Sequence, residues 1–498
     1  MKAPRLVLAA AAAGLSACAV GPDFKAPAAP DASGYGGASA QGQTAAADDT
    51  GGGAAQRFVA GADIPAQWWT LFQSPKLSRL VEQSLKANAD VAAAHAALRQ
   101  AHELYSAQWT SYLPVVQGNF GAIRSKIATA TITPVTVSSN SIYSLYTAEL
   151  SLSYSPDVFG GTRRAVEAAK AQENFARYQL EATDLTLTSN VVVTAVQEAS
   201  LRGQITATER LLQLEHQLTE AVQGQRKLGT ASELDLLAQE SAEAQTAQTL
   251  PPLQKQLGQS RDALSALLGR LPSDEPAETF QLDELSLPLE LPVSLPSKLV
   301  EQRPDVLQAE ENLHAASAEV GVAIANMLPQ FSIDADVGSS ALGLSQLFNP
   351  YTGFWDLGAS LTQTLFDAGA LIHKRRAAEA ALDEAGAQYR AAVILACQNV
   401  ADSLRALQAD ADALKSSAAA ESAARRTFEL AQRQRQLGTV SLLAVLNAEQ
   451  AYQQAELALV QAQANRFADT AGLFQSLGGG WWNRSSGAND EQPGTAGK

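Results

Sequence analysis

Gln225-Arg226-Lys227-Leu228-Gly229-Thr230-Ala231-Ser232 returns 209 residues later as Gln434-Arg435-Gln436-Leu437-Gly438-Thr439-Val440-Ser441. The same offset carries Gly160 onto Gly369 and Leu268-Gly269 onto Leu477-Gly478. An offset of 215 carries Asp90-Val91 and Leu113-Pro114 onto Asp305-Val306 and Leu328-Pro329. Two halves of about 200 residues therefore follow one plan, and a duplicated plan fixes the architecture before any single motif is read.

Each copy of the motif reads as the end of one helix and the start of another. Gly229 and Gly438 can adopt the left-handed conformation that closes a helix, and Ser232 and Ser441 can cap the next one. The helices entering the two motifs are predicted over 162–227 and 371–436. At 1.5 Å per residue each is on the order of 100 Å long. Leaving the second motif, Leu443, Leu446, Gln450, Gln453, Leu457, Val460, Ala464, Phe467, Ala471 and Phe474 step by three and four. Such a repeat predicts a coiled-coil seam. The outgoing helix of the first half answers with Leu211, Leu214, Leu218, Ala221 and Leu228. The return helix of the first half meets Pro251-Pro252, which predicts a kink or break.

Upstream of each long helix lie two segments of period two. Val116, Gly118, Phe120 and Ala122 alternate with polar or small residues, as do Tyr146, Ala148, Leu150, Leu152 and Tyr154. In the second half the rows are Phe331, Ile333, Ala335 and Val337, then Trp355, Leu357, Ala359 and Leu361. One apolar face with period two predicts half-exposed strands. Each half thus reads helix, strand, strand, long helix, tight turn, returning helix. A first helical region over about 77–111 stops at Leu113-Pro114, because proline cannot continue the helical ladder.

Four strands cannot close a membrane barrel, which needs at least about eight. An open sheet in lipid would leave its edges unpaired. Oligomers of two, three or four copies would give 8, 12 or 16 strands. The opposite face of such strands carries Glu149, Asp334, Asp336 and Asp356, which would line the bore of the resulting tube.

The N-terminus bears on compartment. Lys2 and Arg5 precede a short apolar stretch, 6–14, followed by Leu15-Ser16-Ala17-Cys18. This is the pattern of an export signal. Its end resembles the lipobox of bacterial lipoproteins, which implies cleavage before Cys18 and acylation of that residue. Ala19, in place of an Asp, resembles lipoproteins sent to the outer membrane. Without residues 1–17 the chain carries 34 Lys and Arg against 51 Asp and Glu. That balance argues against nucleic acid as a partner and fits a lumen that favours cations. Cys397 is the other cysteine, so no internal disulfide framework exists.

Further motifs together resemble TolC-type outer-membrane efflux lipoproteins, within the NodT-like branch that serves resistance-nodulation-division pumps. They are Cys18-Ala19-Val20-Gly21-Pro22-Asp23-Phe24, Arg303-Pro304-Asp305-Val306 through Glu310, Leu365-Phe366-Asp367-Ala368-Gly369, Leu437-Gly438-Thr439-Val440-Ser441 and Leu477-Gly478-Gly479-Gly480-Trp481. The likeness runs from about residue 18 to 482. The resemblance implies a mainly α fold with a small β part. It implies a homotrimer forming a 12-stranded outer-membrane β-barrel continued by a periplasmic coiled-coil α-barrel. It implies passive export of small molecules delivered by an inner-membrane transporter through a periplasmic adaptor, or membrane fusion protein. It implies adaptor contact at Leu228, Gly229 and Thr230 and at Leu437, Gly438 and Thr439, residues that otherwise serve only as caps.

The family closes its periplasmic end with ion pairs and acidic rings inside the turn. This chain carries Ala444 and Asn447 where relatives carry two Asp. The candidate gate is therefore Asp235, Arg226, Arg435, Leu443 and Asn447; the alternative for the charges is a solvated helix face, and for Leu443 seam packing. The expected organisation is a signal peptide over 1–17, a lipidated tether over 18–71, repeats over 72–270 and 298–480 joined by a linker over 271–297, and a flexible tail over 481–498. No nucleophile elbow, phosphate loop or metal-ligand cluster is present in the sequence, so neither an enzyme nor a metal or other cofactor is expected. His95 and His102, seven residues apart, lack the carboxylate or thiolate company a metal pair needs. Type I protein secretion and a poreless coiled-coil lipoprotein are the competing functions; the amphipathic strands argue against the second.

Overall fold

The computed structural model describes residues 19–31, 34–35, 42–48, 50–126 and 142–484. The elements are β1 (Arg57–Ala60), α1 (Pro75–Ala87), α2 (Ala89–Trp109), β2 (Val115–Lys126), β3 (Ile142–Tyr154), α3 (Gly161–Lys227) and α4 (Glu233–Leu267) in the first half. The second half has β4 (Glu290–Val293), α5 (Pro296–Gln302), α6 (Pro304–Ala325), β5 (Gln330–Ala341), β6 (Gly353–Thr362), α7 (Ala370–Gln436) and α8 (Leu442–Ser476). Both long helices run for 67 residues and end at the two repeated motifs, as the sequence predicts.

The chain divides into two compact units, to which α3 and α7 each contribute residues. The first unit comprises Met1–Ala26, Leu98–Phe175 and Ala309–Tyr389. Its centre is a four-stranded antiparallel sheet in the order β2-β3-β5-β6. Helix starts beside the sheet are capped by aspartates. Asp157 accepts from the backbone N–H of Thr162 at 3.0 Å and of Arg163 at 2.8 Å. Asp367 does the same for Gly369 at 2.8 Å and Leu371 at 2.7 Å. Those amides would otherwise lack acceptors, and their bonds hold the Asp367 carboxyl below its ordinary pKa.

The second unit comprises Pro27–Ala97, Ala176–Gln308 and Arg390–Lys498. Its core gathers Trp68, Phe72, Leu77, Leu80, Phe280, Phe467 and Phe474, all fully buried. Trp68 stacks on Phe474 with ring centroids 5.4 Å apart. The seam predicted on α8 holds where Ala464, Phe467, Ala471 and Phe474 are buried, but slips near its start. There Leu442, Val445 and Ala448 turn inward and Leu443 is exposed, because the cap at Ser441 sets the phase of the first turns.

Three expectations need correction. Pro251 and Pro252 do not break helix α4, which continues through both. Both prolines lie on its exposed side, where water can serve the carbonyls they leave without donors, and packing of Leu236, Thr246 and Leu264 holds the helix on either side. The Gly- and Ala-rich stretch ahead of Trp68 is not a free tether over its whole length. β1 pairs in parallel with β4, Arg57 opposite Glu290 and Ala60 opposite Val293, so tether and linker form one small sheet. Finally, the C-terminal tail does not begin at 481: Trp481 donates its indole N–H to the Gln302 carbonyl at 2.8 Å, and Asn483 reaches the Ile64 carbonyl at 2.8 Å.

Candidate functional site

The strand register makes the two-faced sheet explicit. Val116 opposes Leu152, and Leu152 opposes Ala335, which opposes Leu357. Gly118, Leu150, Val337 and Trp355 form the next apolar row. This face is covered by nothing among the described residues: Phe120, Trp355 and Leu357 are all exposed. A row of exposed aromatic and aliphatic side chains that long is unfavourable in water and favourable in lipid. The opposite face collects the four predicted lumen acids. Ser151 opposes Asp336, which opposes Asp356; Asn119 opposes Glu149; Ser153 opposes Asp334 and donates to it at 2.9 Å. Strands β2 and β6 end the sheet with one unpaired edge each among the described residues.

At the turns, the backbone explains part of the repeated motif. Gly229 and Gly438 have φ of 73° and 74°, a region that L side chains enter only with strain. The Gly229 N–H donates to the Arg226 carbonyl and the Thr230 N–H to the Gln225 carbonyl, each at 2.9 Å. Gly438 and Thr439 repeat both bonds onto Arg435 and Gln434. These are the paired bonds of a Schellman cap. The hydroxyls of Thr230 and Thr439 add a second bond to the same Gln225 and Gln434 carbonyls. Glycine and threonine are thus used by the cap. Leucine is not: Leu228 and Leu437 are 81% and 78% exposed.

The candidate gate is less coherent than the sequence suggests. Asp235 is the acidic half of a capping box: it accepts from the Ser232 N–H at 3.0 Å while the Ser232 hydroxyl accepts from the Asp235 N–H at 3.1 Å. These bonds hold its carboxyl below the ordinary range. Ala444 is the equivalent position in the second half, where Ser441 caps alone. Arg226 pairs with Glu233 across its own turn at 2.7 Å. Arg435 reaches Gln225 of the other turn at 3.4 Å. Leu443 and Asn447 are one helical turn apart on α8, and both are exposed.

The acylation candidate Cys18 lies outside the described residues, but the segment after it is held in place. Val20 donates its N–H to the Phe159 carbonyl at 3.0 Å. The buried Arg164 donates to the Val20 carbonyl at 3.3 Å and pairs with Asp23 at 2.6 Å. Phe24 stacks on His314 at 4.2 Å, and His314 in turn pairs with Glu167 at 3.0 Å. Hydrogen bonds to Glu311 and Glu167 raise the imidazole pKa above its ordinary value. From Ala19 onward the chain thus runs along the end of β3 and the start of α3.

Sequence reading missed the buried ionisable groups of the second unit. Arg466, fully buried on α8, donates to the Thr44 hydroxyl at 2.9 Å and the Ala54 carbonyl at 2.7 Å, pinning the segment ahead of β1. Glu215 and Glu449 are buried on α3 and α8. A signal for Glu449 exists: it continues the row Leu442, Val445 at helical spacing, and an acid in an apolar row is informative.

Residues 80–270 and 295–479 match the family described as outer membrane efflux protein. The pyoverdine export outer membrane protein OpmQ of Pseudomonas aeruginosa is 31% identical over 83% of this chain and 87% of its own. Its namesake in Pseudomonas putida is 30% identical over 84% of this chain and 89% of its own. Among solved structures, the outer-membrane channel OprN superposes with a TM-score of 0.82 at 28% identity, covering 93% of this chain and 100% of its own.

Proposed function

The chain belongs to the outer membrane efflux protein family, and from that premise we propose that three copies join edge to edge, β6 of one against β2 of the next, into a 12-stranded barrel. The protein is the outer-membrane channel of an efflux pump and extends from that membrane into the periplasm. The number three follows from the family likeness, and the observation that supports self-association is the sheet itself. It has one face for lipid, one for water and two edges that lipid would not tolerate unpaired. Self-association in register satisfies all three.

Cargo reaches such a channel from an inner-membrane resistance-nodulation-division transporter through a periplasmic adaptor. The adaptor docks on the two turns, where Leu228 and Leu437 stand exposed with no role in the cap. The cargo is small molecules; a sheet face lined by Glu149, Asp334, Asp336 and Asp356 favours cationic or neutral ones. Cys18 carries the acyl anchor, and the Arg164 contacts hold the following residues against the first unit. Leu443 and Asn447 of three copies form the narrowest level of the resting channel.

The deciding experiment is conductance of the purified protein in planar bilayers alongside its mass in detergent. A trimer mass with discrete cation-selective steps is expected. A stable monomer without conductance would overturn the reading.

A further inference from the structure

Helices α3, α4 and α8 enclose a group of acceptors that lacks donors. Glu449 on α8 is 1% exposed, and neither of its carboxyl oxygens has a hydrogen-bond partner among the described residues. Glu215 on α3 is also buried; one oxygen accepts from the Thr246 hydroxyl at 2.9 Å and the other has no partner. Gln239 on α4, fully buried, donates to the Glu215 carbonyl at 3.4 Å and leaves its own side-chain oxygen unpartnered. Four acceptor oxygens are therefore buried with nothing to accept from.

The charged neighbours do not supply the deficit. On α4, Glu243 bonds to the Thr219 hydroxyl at 2.6 Å and to His216 at 2.9 Å. His216 also pairs with Glu220. On α7, Arg425 pairs with Glu421, and both act with Arg210 of α3 on Glu456 of α8. The charge that bears on Glu449 is Glu215, and the one that bears on Glu215 is Glu243. Among the described residues no cation forms an ion pair with either buried acid.

A buried carboxylate without a donor or a counter-charge is strongly disfavoured, whereas a protonated carboxyl is neutral and brings an O–H donor of its own. Burial accordingly pushes Glu215 up to about 7 and Glu449 up to about 8, with the Glu215 charge adding to the effect on Glu449. The two acids also belong to the packing behind the turns. Val445 and Ala448 of α8 pack with Phe428 of α7 and Leu214 of α3, and Leu442 packs with Val222 and Leu236.

We propose that Glu215 and Glu449 form a proton-binding site that holds these helices together, and that releasing its protons loosens the helices behind the turns and opens the channel. Ionising both acids places like charges between α3 and α8, and separation or hydration of the helices relieves them. The proposal rests on the channel reading above.

The test is open probability of the purified protein in planar bilayers between about pH 5.5 and pH 9, a range that spans the titration of raised carboxyls. For the native protein it should rise roughly tenfold with a midpoint between about 7 and about 8. The Glu215→Gln/Glu449→Gln double variant mimics the neutral acids and should stay at the acidic level throughout. Protection factors for amide exchange of α3 and α8 around Leu214 and Val445, which divide out the intrinsic base-catalysed rate, should fall at high pH in the native protein and not in the variant. A native channel indifferent to pH, or a double variant that still opens, overturns the proposal and leaves the channel reading standing. Open probability that changes with sodium concentration at fixed pH and constant ionic strength also overturns it, because the site would then hold a metal cation. Absence of conductance in every variant strikes the channel reading itself.

Discussion

Asp336 on β5 stands directly opposite Asp356 on the edge strand β6. Two like charges at directly opposed positions destabilise a strand pair, by roughly 0.2–1 kcal/mol. On the far side of Asp336 in the same row is Ser151, which brings no compensating charge. Such a pair persists where its field is useful, and a low-dielectric wall around a water-filled bore strengthens that field.

Asp356→Asn should therefore reduce cation selectivity while leaving the assembled protein as stable as before or slightly more so. Reversal potentials across a salt gradient give the first quantity and thermal melting in detergent the second. Unchanged selectivity would remove the pair from the conducting face.

The turns offer a separable prediction. Gly229 and Gly438 need positive φ, so substituting them disturbs the caps as well as any contact surface. Leu228 and Leu437 carry no such burden. Leu228→Asp combined with Leu437→Asp should leave melting behaviour and oligomer mass intact and abolish adaptor binding and export. Burying a large aliphatic side chain in an interface is worth about 1.5–3 kcal/mol, so loss of both predicts at least a hundredfold weaker binding, read by co-purification or titration with the adaptor. Native affinity in this variant would confine the motif to capping.

Features were legible in the sequence where their local signal was strong. The strand faces were readable because Val116 to Ala122 and Trp355 to Leu361 alternate without interruption, and alternation has one geometric meaning. The helix ends were readable because Gly229 and Gly438 recur with serine three residues on. The pairing of β1 with β4 was not readable, since four-residue strands 233 positions apart carry too few periods to register. The break at Asn88 was only half readable: its side chain caps α2 by accepting from the Asp90 N–H, a local pattern, but its bond to the Leu267 carbonyl at the end of α4 leaves no trace in the sequence. The capping role of Asp235 was not readable either, because a cap acid and a pore acid look alike until its hydrogen bonds are known. Arg466 escaped because charged residues are ordinarily exposed, so only the fold reveals its burial, whereas Glu449 had a signal in the apolar row it continues.

Arg164 gives a prediction about the N-terminal segment. Its guanidinium is buried and bonded to Val20, Asp23 and Glu167. Arg164→Met keeps most of the apolar stem and removes every one of those bonds. Hydrogen bonds to charged groups contribute about 1.5–3 kcal/mol each in favourable cases, though the exposed Asp23 lowers its share. The variant should release the Ala19–Phe24 segment to limited proteolysis, and Cys18→Ser alone should not. Equal protection in both variants would show that the acyl anchor or the Phe24–His314 stack holds the segment instead.

The last prediction concerns stability against pH in the second unit. Asp410 on α7 and Asp469 on α8 face one another, and burial together with the hydrogen bond from Asp469 raises the Asp410 carboxyl to about 7. Arg466 opposes this shift only in part, and its own burial holds its pKa down. In the unfolded chain an Asp titrates near about 3.9. Between these values the folded protein binds a proton that the unfolded chain does not, so stability falls as pH rises and the contribution is lost as pH passes through the folded value. Melting temperature in detergent should thus decline from mildly acidic conditions toward about pH 7 and then level off as far as this group is concerned. Asp410→Asn keeps the shape and a donor while abolishing the titration, and should flatten that part of the curve. In the Glu215→Gln/Glu449→Gln background the residual slope isolates this pair. A slope unchanged by Asp410→Asn there would mean that Arg466 keeps Asp410 ionised, and that the contact between α7 and α8 is an ion pair rather than a shared proton.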